Sequence, residues 1–161
     1  MAGRLHSAGP RVEPLDVIPP TRDRAAERGP PYAPGMNAEA TTLDIAARLF
    51  DCISRGDVEG VRALYDPDVR IWHNFDGVEQ TRDQNLQLLG WLATNVKDIR
   101  YEEVQCQEVP GGFVQRHVLR GTAANGAKLD IPAAMFGTIK DGKIVRLEEY
   151  LDTAQTAALR G

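Results

Sequence analysis

Apolar positions recur at helical spacing in the stretch TTLDIAARLFDCISRG, where Leu43, Ala46, Ala47, Phe50 and Ile53 fall at i, i+3, i+4, i+7 and i+10. That stripe predicts an amphipathic helix, with Thr41 or Thr42 as its cap and Gly56 as its end. The stretch DVEGVRALYDPD predicts a short second helix, capped by Asp57, burying Val58, Val61 and Leu64, and stopped by Pro67. Residues 69–74 then alternate as a strand, and TRDQNLQLLGWLATNV, 81–96, reads as a third helix capped by Thr81. Its inward residues are Leu88, Leu89, Leu92 and Val96, with Trp91 at the margin. Beyond it the period changes to two. Strands are predicted over 99–109, 111–123, 127–139 and 143–152, separated by Pro-Gly-Gly, Asn-Gly and Asp-Gly turns. A short helix is predicted over 153–159. The order α-α-β-α-β-β-β-β describes an α+β domain, with three helices packed on one face of a curved antiparallel sheet. Such a sheet can curl into a cone whose interior is a natural ligand pocket.

Composition changes this picture only at the N-terminus. Residues 1–35 hold seven of the ten prolines, five Arg and four acidic residues, without sustained periodicity. They cannot bury enough apolar surface to offset the entropy of ordering, so residues 1–36 are expected to be a disordered tail before a domain at 37–161. The composition break also suggests Met36 as the true start. Glu13, Asp16, Asp23 and Glu27 argue against a transit peptide. The net charge of −4 comes without a Lys/Arg run, which argues against nucleic acid, and no apolar run is long enough for a membrane span. Cys52 and Cys106 match no metal spacing and read as reduced buried thiols, so a cytoplasmic protein is expected. No glycine pattern suits a phosphate or dinucleotide, and the histidines, of which His6 lies in the tail, have no ligand spacing. No cofactor and no metal are therefore expected.

One residue breaks the apolar pattern where it matters. In VRIWHNFDG, His73 shares a strand face with Val69 and Ile71, while Arg70, Trp72 and Asn74 take the other. Either His73 is a core histidine bonded to a backbone carbonyl, or it faces a cavity where a titratable group is useful.

GDVEGVRALYDPDVRIWHN resembles the helix-to-first-strand segment of the nuclear transport factor 2-like (NTF2-like) superfamily, and DGKIVRLEEYLD resembles its last hairpin. Within that superfamily the chain resembles the SnoaL-like proteins over residues 42–157. The resemblance implies an NTF2-like cone and a homodimer formed through the outer face of the sheet, with Trp72 a candidate for the contact. It leaves the chemistry open, since the superfamily includes ketosteroid isomerases, epoxide hydrolases, cyclases and non-catalytic members. The ketosteroid isomerase aspartate position falls on His73, but the two oxyanion donors fall on Leu49 and Met135, which argues against that reaction. The limonene epoxide hydrolase arginine falls on Arg116 and one carboxylate on Glu149. Its second aspartate falls on Val118, its tyrosine on Ile71 and its asparagine on His73.

The candidate catalytic set is therefore His73, Arg116 and Glu149. A histidine can act as base or acid at neutral pH, an arginine can stabilise an anion, and a glutamate can fix a tautomer or orient water. Arg116 and Glu149 can equally be an ion pair across the sheet. On strand 111–123 either Val114, Arg116 and Val118 face inward, or Phe113, Gln115, His117 and Leu119 do. Counting back from DGKI favours Arg116, and apolar content favours His117. Ile71, Asn74, Trp91, His117, Val118 and Met135 are the candidate binding residues, while Asp130 is assigned to solvent or an interface. The expected activity is cofactor-independent acid–base chemistry of isomerase, cyclase or epoxide hydrolase type on a small apolar molecule. The alternative is a non-catalytic ligand-binding or protein-interaction domain using the same pocket.

Overall fold

The first helix starts at Thr41 because two groups satisfy each other. The Thr41 hydroxyl accepts from the Asp44 N–H, and the Asp44 carboxylate accepts from the Thr41 N–H. The computed structural model describes residues 40–156. The expectations for the tail, for Met36 and for a helix reaching 159 lie outside the described residues. Helix α1, Thr42–Arg55, ends at Gly56, whose φ of 68° is a left-handed cap that a side chain would strain. Its buried face is Ile45, Ala46, Leu49, Phe50, Cys52 and Ile53. Leu43 and Ala47, placed on that face by spacing, are exposed and line a surface groove with Val104 and Cys106.

Helix α2, Val58–Leu64, runs directly into strand β1, Tyr65–His73. The strand thus begins earlier than its alternation suggests. Pro67 is tolerated because it lies where the pairing of β1 shifts between Tyr65 and Arg70. A short strand β2, Glu79–Thr81, was not legible and pairs with β1. Helix α3, Arg82–Asn95, carries a second capping box between Thr81 and Gln84. Strand β3, Val96–Val109, begins three residues before the predicted start and is followed by β4, Gly112–Ala123, β5, Lys128–Lys140, and β6, Lys143–Leu151.

The sheet order is β2-β1-β6-β5-β4-β3. The meander β3 to β6 is antiparallel as expected, whereas β1 lies parallel to β6, so the sheet is mixed. Register shifts in β3, where Asp98 and Glu103 take positive φ, and between Thr138 and Ile139 of β5 bend the strands. The result is a curved, unclosed six-stranded sheet with three helices on its concave face, the α+β cone of the NTF2-like fold. One core gathers around Leu49, Phe113, Ile144 and Leu147. A second, around Val96, Ile99, Leu129 and Ile131, lies under the far side. Among the described residues no helix is long and apolar enough to cross a membrane.

Candidate active site

Between the cores the cone stays open. A cavity of about 220 Å³ lies between α3 and the inner face of the sheet. Leu88, Leu89 and Leu92 of α3 line it, which is why these residues are half-buried rather than buried. Ile71, Ile131, Met135 and Leu147 form the floor, and half-exposed Trp91 stands at the rim.

Into this apolar space the sheet projects a carboxyl. Glu149 of β6 is the register partner of His73 on the parallel strand β1, so their side chains stand side by side. His73 Nε2 lies 3.4 Å from Glu149 Oε2. His73 Nδ1 is buried and has no hydrogen-bond partner, so no backbone carbonyl holds this ring. Burial pushes the Glu149 carboxyl up to about 7. Burial also lowers His73, with the charge of Asp76 opposing it. Both shifts run toward the neutral forms, because desolvating a charge costs more here than one close partner returns. Two phenols face the same space. Tyr65 donates to Asn85 Oδ1 at 3.0 Å, and the Asn85 amide nitrogen donates to Gln80 Oε1 at 3.1 Å. Tyr101 lines the cavity wall, and burial together with the charge of Glu149 pushes both phenols upward, so they remain protonated donors.

The sequence placed Arg116 in this cavity, and the structure does not. Arg116 is exposed on the outer face and donates to Gln105 Oε1 at 2.9 Å, so no Arg116–Glu149 ion pair forms. Phe113, fully buried, pins the odd-numbered residues of β4 inward, together with Gln115 and His117. Counting back from the last hairpin crosses the register shift at Thr138 and Ile139, and one residue of slip exchanges the two faces of a strand. Val118 falls on the outer face with Arg116 and does not line the main cavity. Nor does Asn74, whose side chain both donates to and accepts from the backbone of Leu151 and so pins the ends of β1 and β6 together. Ile71, Trp91 and Met135 line the cavity, and His117 is buried behind Glu149, with Nε2 3.9 Å from Oε1. Asp130 pairs with Arg120 on the outer face. Leu49 is fully buried in the core and leaves the cavity open.

Tyr65, Tyr101 and Asn85 were missed. Asn85 carried a signal, because it lies three and four residues before Leu88 and Leu89 on the same stripe. A polar residue on an apolar stripe marks either a satisfied core amide or a cavity wall. Among the described residues no cluster of three or more His, Cys, Asp or Glu gathers as a metal site.

The sequence profile of the SnoaL-like domain matches residues 46–147. The chain belongs to the SnoaL-like family. Its fold is shared with solved structures of low identity. Wild-type IdmH from Streptomyces antibioticus, provisionally assigned as a polyketide cyclase, is 22% identical with a TM-score of 0.64, over 74% of this chain and 98% of that one. A protein of ketosteroid isomerase-like fold from Catenulispora acidiphila, solved with trimethylamine, is 13% identical with a TM-score of 0.66, over 74% and 93%. An NTF2-like protein from Burkholderia pseudomallei is 21% identical with a TM-score of 0.63, over 73% and 95%. Among curated proteins no relative matches. At these identities the structures establish the fold of this SnoaL-like chain and leave its chemistry to the site.

Proposed function

We propose that this SnoaL-like chain is a cofactor-independent enzyme that moves protons on a neutral, apolar small molecule held in the cone. The observation that carries the reading is the carboxyl of Glu149, set beside His73 Nε2 in a predominantly apolar cavity. A carboxyl held near 7 is half ionised at neutral pH and strong enough, when ionised, to take a proton from a carbon beside a carbonyl. This exchanges the roles expected from sequence. Glu149 is the base, His73 receives or returns the proton through Nε2, and Arg116 has no part. Tyr101 is the donor for the developing oxyanion, a role that the ketosteroid isomerase pattern would have given to Leu49 and Met135. Among the described residues no lysine or arginine lines the cavity; there a carboxylated substrate would bury its charge unpaired, which favours neutral ketones, enones and lactones. The cyclase assignment of IdmH is consistent with that class. We propose further that the chain is cytoplasmic and pairs with a second copy through the outer face, where Trp72, Phe136 and Tyr150 form an exposed aromatic cluster.

The test is a panel of polyketide-like ketones, lactones and epoxides, followed by turnover and by the His73 imidazole resonances in parallel. Turnover of one panel member that collapses in Glu149→Gln supports the enzyme. Compounds that shift His73 yet are never converted would leave a binding domain in its place.

A further inference from the structure

His117 is a costly residue to leave as it is. It is 3% exposed, its Nε2 has no hydrogen-bond partner, and an orphaned buried donor keeps its full desolvation cost. The ring is not free to seek one. Tyr101 and Phe50 pack edge-on against it at centroid distances of 4.8 and 5.2 Å. From the other side, the Gln115 amide nitrogen lies 3.2 Å from His117 Nδ1. An amide nitrogen can only donate, so Nδ1 must carry the lone pair, and the proton of a neutral ring sits on Nε2. Glu149 lies across β5 from that nitrogen, diagonal to Ala133, the register partner of His117. The separation of 3.9 Å from Oε1 is too long for a hydrogen bond, so the two groups must draw closer before Nε2–H can donate.

We propose that His117 is a positioning residue for Glu149: Gln115 fixes its tautomer so that Nε2–H stands ready to donate to Oε1 when the carboxyl ionises. The orphaned donor is then a feature of the protonated state alone. When Glu149 gives up its proton, the carboxylate as a whole draws toward β4, bringing Oε1 within reach of His117 Nε2–H while Oε2 remains on the His73 side. The inference rests on the reading of Glu149 as the acid–base group. The other ionisable groups facing this carboxyl are His73 and Tyr65 from β1 and Tyr101 from β3, with Asp76 acting on His73. The residues of α3 that line the cavity contribute none. His117 itself is pushed down to about 4 by burial, so it stays a neutral donor throughout the range in which Glu149 titrates.

The experiment uses the full chain labelled with carbon-13 and nitrogen-15, without substrate. In the native protein the nitrogen shifts of His117 should report a bare Nδ1 and a protonated Nε2. The titration midpoint of the Glu149 side-chain carbon should rise by about one pH unit in His117→Phe, which keeps the ring and removes the donor. It should rise by less in Gln115→Leu, which frees the tautomer. A protonated Nδ1 in the native chain, or a midpoint unmoved in the variants, overturns the proposal. If His117→Phe does not fold, the native tautomer and Gln115→Leu decide it. Failure of every panel compound to react would count against the enzyme reading and leave these titrations as they are.

Discussion

The two faces of one strand, β4, both carry polar residues, under opposite rules. On the outer face Arg116 bonds Gln105, and Arg120 contacts Glu102, Glu103 and Asp130 at 2.7, 3.2 and 3.1 Å. Every one of those groups is partnered and wet. On the inner face Gln115 and His117 are buried, His117 keeps an orphaned nitrogen, and the carboxyl it faces is held near 7. Surface ion pairs contribute about 0–1 kcal/mol each, so the outer face could lose most of its charges without consequence. The inner face retains its polar groups at a real energetic cost. The difference teaches where to look for function: the partnered, charged face reads as scaffold, and the face whose polar groups are short of partners is the one the proposal rests on.

The hardest blow to that contrast would come from activity. Glu149→Gln should lower turnover of any substrate found in the panel by about 10²–10⁴-fold, while Arg116→Ala leaves it within about twofold, and steady-state kinetics on both variants measures the gap. Loss of activity in Arg116→Ala instead would reverse the faces.

Stability should follow the same divide through pH. The carboxyl of Glu149 moves from an ordinary 4.5 to about 7 on folding, so between those values the folded chain holds a proton that the unfolded chain releases. Its contribution therefore falls as pH rises through that window. His117 runs the other way. Its folded value of about 4 lies below the ordinary 6.5, so its contribution grows as pH rises from 4 to 6.5, and the lowered His73 has the same sign. Above about pH 6.5 only the carboxyl limb remains. Denaturant unfolding from pH 4.5 to 8 should show Glu149→Gln gaining about 3 kcal/mol on the native protein across the window and nothing more beyond it. A constant gap across that range would mean that Glu149 is not buried as described.

Packing supplies a smaller test. A Cβ on Gly137 would sit 2.2 Å from the ring of Phe113, the fully buried residue that sets the inward face of β4. Gly137→Ala should cost about 2 kcal/mol in denaturant unfolding as the ring is forced aside. Smallest of all, Arg120→Ala should cost less than about 1 kcal/mol, and high salt should shrink even that. A larger loss would make the outer network a structural element in its own right.

Helices and strands were legible because each follows a period and a local stop signal. Thr41, Asp57 and Thr81 mark their helices in the sequence alone. His73 was legible as a polar residue on an apolar face, and Glu149 through the last hairpin. The face of β4 was not, because two signals disagreed and the one that counted residues crossed an irregularity it could not register. The parallel docking of β1 on β6 was also invisible, since it joins segments far apart with no turn between them to announce it. Tyr101 escaped for a similar reason. It sits on β3 between two bulges, where alternation no longer reports the face.

That parallel docking has a consequence in time. His73 and Glu149 come together only when the final strand lies down beside the first, a closure over about two-thirds of the described residues. Contacts of such long range are among the slowest to form. A growing or refolding chain can assemble its helices and the hairpins of the meander while Glu149 is still in water, an ordinary ionised carboxylate. The unusual carboxyl exists only once the last strand is docked, and a chain cut short before β6 would lack both Glu149 and the strand that β1 pairs with in parallel.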